Sequence, residues 1–120
     1  MKLVRYGASG AEKPGLMDGD TLRDLSGHVA DITGTMLDDA TLAKLRAIDP
    51  ATLPEVTGNP RIGPCVGNIG KFMCIGLNYS DHAAEAGMPV PAEPILFTKP
   101  GSTLCGPNDP ILRPAHADKL

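Results

Sequence analysis

The sequence predicts an α+β protein, with a small mixed N-terminal domain over residues 1–60 and the first part of a β-rich domain over residues 61–120. Short apolar runs closed by turn residues are typical of strands, and two stretches carry helix signals. A stretch rich in Pro, Gly and Asn, residues 51–64, separates the two halves and predicts a linker. The 120 residues include 14 Gly and 12 Pro, a loop-rich composition that favours short strands over a helical bundle.

The N-terminal region carries the pattern of a small antiparallel sheet. Residues 2–6 alternate between polar and apolar and predict a strand, which is followed by a turn-rich loop over residues 7–15. An extended piece at residues 16–17 leads into the turn signal Asp18-Gly19-Asp20, and residues 21–25 form the returning strand.

One amphipathic helix is predicted over residues 41–48. Its apolar residues recur at helical spacing and are expected to face the core; they are Leu42, Leu45 and Ile48. Asp38 or Asp39 is positioned to cap its start, and Pro50 is expected to end it.

A strand, a short helix and a second strand are predicted between residues 71 and 99. Residues 71–77 are apolar and predict a buried strand. Residues 80–86 predict one or two helical turns, with Ser80 as the N-cap and Gly87 as the stop. Residues 95–99 predict the second strand, because they are apolar and flanked by prolines.

His82 and Glu85 are the candidate chemical groups of this stretch. Their spacing of three residues puts both side chains on the same face of a helix. A carboxylate beside an imidazole orients the ring and raises its basicity, which suits a general base that activates water. On spacing alone, an exposed helix face with an incidental His–Glu contact is the commoner interpretation.

Composition narrows the functional classes. The net charge of −3 and the lack of a basic stripe argue against a nucleic-acid partner. No apolar run reaches the roughly 20 residues of a membrane span, and residues 1–10 lack a signal-peptide core. Three widely spaced cysteines, Cys65, Cys74 and Cys105, predict free thiols in a reducing cytoplasm, with Cys74 buried in its strand.

The run Gly76-Leu77-Asn78-Tyr79-Ser80-Asp81-His82-Ala83-Ala84-Glu85, followed by Phe97-Thr98-Lys99-Pro100, resembles the opening motif of the fumarylacetoacetate hydrolase family. The similarity extends over about residues 63–120 and includes Gly106-Pro107-Asn108-Asp109-Pro110-Ile111. It implies a mixed β-sandwich roll and a metal-dependent hydrolase or lyase that acts on small oxo (diketo) acids. It also implies that His82 and Glu85 form a catalytic, water-activating dyad on a mobile lid. Lys99, Asn78 and Tyr79 are assigned to substrate binding on the same resemblance.

The resemblance further implies Mg²⁺ or a similar divalent cation, and a homodimer. The family's metal ligands are a Glu-x-Glu pair and a later Asp, which we expect beyond Leu120, with residues 118–120 as the approach to that pair. No metal ligand is assigned within the 120 residues, and this stretch alone is expected to be inactive. The alternative is a non-catalytic fragment or small binding module, because the acidic residues are scattered.

Overall fold

The computed structural model describes residues 1–117 of the chain, which form two compact units. Residues 1–68 and 105–117 make the N-terminal unit, and residues 69–104 make the hairpin unit. The elements are β1 (Lys2–Tyr6), β2 (Lys13–Asp18), β3 (Thr21–Asp24), α1 (Asp39–Arg46), β4 (Phe72–Gly76), α2 (Ser80–Glu85) and β5 (Ile95–Lys99). The predicted α+β class is confirmed. The domain boundary near residue 60 and the sandwich roll stay predictions.

The N-terminal unit is built on the antiparallel sheet β1-β2-β3. Asp18 pairs with Thr21 across the predicted turn, where Gly19 adopts a φ of 59° that glycine accepts without strain. The predicted loop over residues 7–15 is too long, because β2 already begins at Lys13. Gly15 lies in this strand, where a larger residue would not fit, because a Cβ at this position would lie 2.9 Å from side-chain atoms of both Leu22 and Tyr6.

An aliphatic core fills the N-terminal unit. Its buried members are Leu16, Leu25, Ile32, Met36, Leu45 and Leu53. The helix α1 contributes Leu45, while Ile48, which lies beyond the helix end, is partly buried against the same cluster. Asp38 is the N-cap, since its carboxylate accepts a hydrogen bond from the Thr41 N–H at 2.9 Å. Pro50 begins a 3₁₀ turn after the helix.

The hairpin unit is a two-stranded antiparallel sheet with α2 between its strands. The strand predicted over residues 71–77 is present as β4, but the prediction that it is buried is wrong. The β4 residues alternate between half-buried and exposed, and β5 is exposed throughout, because within its own unit the sheet has two strands and little apolar cover. Cys74 is accordingly half-buried rather than buried.

The short helix α2 begins one residue earlier than the capping pattern predicts. Tyr79 occupies the N-cap position without a side-chain hydrogen bond, and Ser80 is the first helical residue, so the Ser80 cap is wrong. Gly87 adopts a φ of 64° and its N–H donates to the Ala84 carbonyl at 3.1 Å. The predicted helix stop at Gly87 is therefore confirmed.

The predictions about membrane spans and about the cysteines can be compared with the structure. Within residues 1–117, no helix is long and apolar enough to cross a membrane. All three cysteines are free thiols, with Cys65 and Cys105 exposed.

Candidate functional site

The end of β4 carries a strained backbone. Leu77, which follows β4, has a φ of 48°, in the left-handed region that branched and bulky residues rarely adopt. This conformation costs an L-residue about 1–2 kcal/mol, and such strain clusters where a structure must aim particular groups. Here it turns the chain from the strand into Asn78 and Tyr79, both exposed. The strain marks residues 76–79 as a candidate site from the backbone alone.

His82 and Glu85 lie on the exposed side of α2, whose buried residue is Ala83. The His82 backbone N–H donates to the Asp81 carboxylate at 2.8 Å. Among the described residues, neither the His82 ring nor the Glu85 carboxylate makes a hydrogen bond or an ion pair. The helix thus presents both groups to solvent without joining them, and their role as a dyad stays a prediction.

A cavity of about 280 Å³ lies beside Asn78. Its walls are the end of β4 with the following turn, residues 75–78, and the proline-rich segment 90–94. Asn78 supplies an amide and Glu93 a carboxylate to an otherwise apolar or backbone lining. The volume suits a ligand smaller than a typical drug molecule. Neither His82 nor Glu85 lines it.

A larger cavity, of about 540 Å³, lies in the N-terminal unit around Leu22 and Pro60. None of the predicted site residues lines it. Size alone is therefore a poor guide to the candidate site in this chain.

Lys99 lies at the other end of the hairpin. It pairs with Phe72, whereas Gly76, next to the strained turn, pairs with Ile95. Four residues of strand separate the two ends, which amounts to about 14 Å. The Lys99 ammonium lies 5.7 Å from the centre of the Phe72 ring, within the range of a cation–π contact. The structure thus brings Asn78 and Tyr79 to the cavity end and leaves the Lys99 backbone at the opposite end.

The described residues do not fit a divalent metal. Within residues 1–117, no three His, Cys, Asp or Glu side chains converge as a cation site requires. Residues 118–120, predicted as the approach to the metal ligands, lie outside the described residues. The prediction of Mg²⁺ ligands beyond Leu120 stays a prediction.

Residues 71–120 match the family described as fumarylacetoacetate (FAA) hydrolase, C-terminal. The match covers 50 of the 120 residues. The resemblance of the motif is thereby confirmed, and β4, α2 and β5 all lie inside the match.

Several curated Burkholderia proteins are similar to this chain over 112 residues, or 92% of its length. A protein named "putative hydrolase" from Burkholderia ambifaria and another from Burkholderia lata are each 68% identical. A third, from Burkholderia cenocepacia, is 67% identical. The chain spans about 40% of the length of these relatives.

Asp109, which lies in the matched segment, belongs to a network of ion pairs that the sequence analysis did not predict. Five side chains of alternating charge follow one another in the N-terminal unit: Asp31, Arg5, Glu12, Arg61 and Asp109. We call these five residues the charge ladder. The central Glu12 side chain is only 6% exposed and contacts both arginines, at 3.5 Å and 2.9 Å. No spacing rule could have found it, because its members are scattered over 105 positions of the chain.

The charge ladder shifts the pKa values of its members. The hydrogen bond from Arg61 lowers the pKa of Glu12, and burial only partly opposes this. Burial raises the pKa of Asp31, but the hydrogen bonds from Arg5 and from the Ile32 N–H, together with the charge of Arg5, outweigh burial and hold the pKa below its usual range. The Asp109 pKa is lowered by the hydrogen bonds from Arg61, whose own pKa is raised, first by Asp109 and then by Glu12. These groups therefore keep their charges over a wide pH range.

Proposed function

We propose that this chain is the N-terminal part of a metal-dependent hydrolase or lyase that acts on small oxo (diketo) acids, with His82 and Glu85 activating water. One observation carries the proposal. The His82 imidazole and the Glu85 carboxylate lie on the exposed side of α2, which follows the strained Leu77 in the chain. Among the described residues, neither group makes a hydrogen bond or an ion pair. The fumarylacetoacetate hydrolase match over residues 71–120 supports the same chemistry.

In the proposed reaction, the His82 ring takes a proton from a water molecule. The resulting hydroxide adds to a carbonyl carbon of the oxo acid. The adjacent C–C bond then breaks, its electron pair remains with the leaving fragment as an enolate, and that fragment takes up a proton. Glu85 orients the His82 ring and stabilises its protonated form. None of these steps is assigned to a metal, since the described residues do not form a metal site.

The substrate contacts are proposed with unequal support. Asn78 lines the 280 Å³ cavity, where its amide can donate to a carboxylate or carbonyl oxygen. Tyr79, which follows it, is 71% exposed and is proposed to contact the substrate because it is adjacent to Asn78 in the motif. Lys99 enters the proposal on the family resemblance alone, because the strand register places its backbone beside Phe72.

The experiment that tests the proposal compares turnover in single and double variants of the full-length enzyme of which this chain is proposed to be the N-terminal part, with divalent metal and a panel of small oxo acids saturating. His82→Ala should lower turnover by roughly 10²–10⁴, because the base is lost. Glu85→Gln should also lower turnover, and its effect should shrink when His82 is already absent, because the two act as one unit. His28→Ala removes an exposed histidine of the N-terminal unit and serves as the control. Turnover near wild type in His82→Ala would end the proposal.

A non-catalytic binding module is the second candidate, and one observation favours it. The cavity beside Asn78 is lined by neither His82 nor Glu85, so a ligand could bind there without meeting the proposed base. Under this alternative, Asn78→Ala weakens the binding of an oxo acid, measured by calorimetry, whereas His82→Ala binds it as tightly as wild type. Neither the wild type nor either variant turns it over.

A further inference from the structure

The hairpin unit is inserted between two segments of the N-terminal unit, and we call this insertion the excursion. One ion pair joins a residue that precedes the excursion to a residue that follows it. The chain leaves the N-terminal unit after Asn68 and returns at Cys105. Arg61 precedes the departure and Asp109 follows the return. Their side chains form a two-pronged contact, with Nε to Oδ1 at 2.7 Å and Nη2 to Oδ2 at 2.6 Å. Paired N–H donors on one carboxylate give the most directional of charged hydrogen bonds.

Each partner of this pair is fixed in turn to the N-terminal unit. The Arg61 carbonyl accepts a hydrogen bond from the Gly7 N–H at 2.8 Å, and Arg61 Nη1 donates to Glu12 at 2.9 Å. Glu12 in turn contacts Arg5 of β1. The departing segment is therefore attached to the sheet through Arg61.

The returning side is attached equally closely. Asp109 Oδ2 accepts a hydrogen bond from the Gly106 N–H at 2.6 Å. Gly106 is buried, and a Cβ at this position would collide with the Ile62 carbonyl. Residues 106 and 62 therefore approach each other directly, next to the Arg61–Asp109 contact.

We propose that the Arg61–Asp109 pair is a positioning clamp, which holds the two ends of the hairpin unit together and so stabilises the pairing of β4 with β5. The inference deepens the proposed function, since the paired strands carry the proposed site residues at their ends. The clamp acts only through chain connectivity and touches no substrate.

The physical reason is loop closure. Two strands pair more readily when the chain segments leading into them are already held together, because less conformational freedom remains to be lost. The hairpin unit depends on this help. Its sheet has two strands, both with exposed apolar side chains, and a lone hairpin is marginal in water.

Hydrogen–deuterium exchange on the 120-residue protein tests the clamp. Asp109→Asn keeps the shape of the side chain but removes the charge that binds both prongs of Arg61. We expect the amides of β4 and β5 to exchange about threefold faster or more. Arg61→Lys, which keeps the charge but loses the fork, should give a smaller increase in the same amides. It also serves as the second variant if Asp109→Asn does not fold.

Asp31→Asn is the matched control. It breaks an equivalent two-pronged contact, to Arg5 at 2.7 Å and 3.1 Å, in the same charge ladder. Arg5 also touches the departing segment, where its Nη1 donates to the Pro64 carbonyl at 3.4 Å. Both partners precede the excursion, however, so their contact does not tie the departing segment to the returning one. A merely structural role predicts equal exchange in β4 and β5 for Asp31→Asn and Asp109→Asn at equal melting temperature. Equal exchange, or exchange unchanged from wild type in Asp109→Asn and Arg61→Lys, would overturn the clamp.

A double variant and an activity assay complete the test. Arg61→Lys combined with Asp109→Asn should exchange no faster than Asp109→Asn alone, because one contact is being removed. Additive increases would contradict a shared contact. Because exchange requires no catalysis, failure of the clamp leaves the His82 test untouched, and normal turnover in His82→Ala would leave the clamp standing.

Discussion

The two units of this protein differ in how much apolar surface they bury. The N-terminal unit packs a three-stranded sheet over an aliphatic cluster in which Leu25 and Ile32 are each only 1% exposed. In the hairpin unit, all of whose residues are described, the buried hydrophobic residue is Ala83. A unit without a core of its own gains little from burial, so its sequence is free to satisfy other requirements.

The charges show the same contrast. Every ion pair found among the described residues lies in the N-terminal unit. The hairpin unit holds His82, Glu85, Glu93 and Lys99 exposed and without ion pairs. Charges already matched within the fold stabilise it, whereas unmatched ones can interact with a solute. This contrast fits the proposed function, in which the site residues lie in the hairpin unit.

The sharpest way to break this comparison is to truncate one leucine in each unit. Leu25→Ala should lower the free energy of unfolding by about 2–5 kcal/mol, because it leaves a cavity in the core. Leu96→Ala, at a side chain that is 60% exposed, should change it by less than about 0.5 kcal/mol. Similar losses in both variants would show that β5 has a core that the structure does not show.

Urea unfolding of the N-terminal unit can be followed through its one tyrosine, Tyr6. The chain has two tyrosines and no tryptophan. Tyr6 is 6% exposed in the N-terminal unit, so the fluorescence of a Tyr79→Phe background reports that unit alone. Burial, followed by the hydrogen bond with Asp24, raises the Tyr6 pKa to about 12, which gives an independent alkaline signal.

A second prediction concerns the close backbone approach on the returning side. Gly106→Ala should destabilise the N-terminal unit by about 1–3 kcal/mol, because the new Cβ collides with the Ile62 carbonyl. Gly27→Ala is the matched control in the same unit, since a Cβ there meets no atom within 4 Å. Equal melting temperatures for the two variants would argue against the close approach.

A third prediction addresses the strain at Leu77 in the hairpin unit. Leu77→Gly and Leu77→Ala remove nearly the same side chain, but only glycine adopts a φ of 48° freely. The glycine variant should therefore be more stable than the alanine variant by about 1 kcal/mol, measured by amide exchange in β4. If alanine proves equal or better, Leu77 is not strained.

The smallest predicted effect is the pH dependence supplied by one carboxylate. Because Arg61 lowers the pKa of Glu12 in the folded state, the stabilisation from Glu12 is complete above its ordinary value of 4.5. It is lost as the pH falls through the lowered folded value. Glu12→Gln should therefore flatten the decline of unfolding free energy as the pH falls below about 4.5. An unchanged slope would show that Glu12 is not held in the charge ladder.

Local signals in the sequence predicted local structure well. The antiparallel N-terminal strands, the Asp38 cap and the Gly87 stop follow from residues close together in the chain, so short-range rules find them. The Ser80 cap fails because Tyr79 takes the N-cap position and Asp81 accepts the nearby N–H instead. Two adjacent candidates cannot be separated by propensity alone.

Non-local features could not be predicted in this way. Apolar residues over 71–77 indicated a buried strand, but burial depends on what else covers a sheet, which the segment itself does not encode. The charge ladder joins side chains 48 and 49 positions apart, Arg61 with Asp109 and with Glu12. For the candidate site, the motif specified which residues to examine, whereas the strain at Leu77 and the distant register of Lys99 required the backbone.

The excursion between Asn68 and Cys105 has a consequence for how the protein is made. The sheet and the aliphatic core come from residues before position 54 and can assemble early during synthesis. Asp109 reaches Arg61 only after the 48 positions that separate them have been translated. At typical elongation rates that delay lasts roughly 2–10 seconds. During it, Glu12 is the ladder's only carboxylate partner for Arg61, and the Arg61–Asp109 contact forms only after the whole hairpin unit has been synthesised.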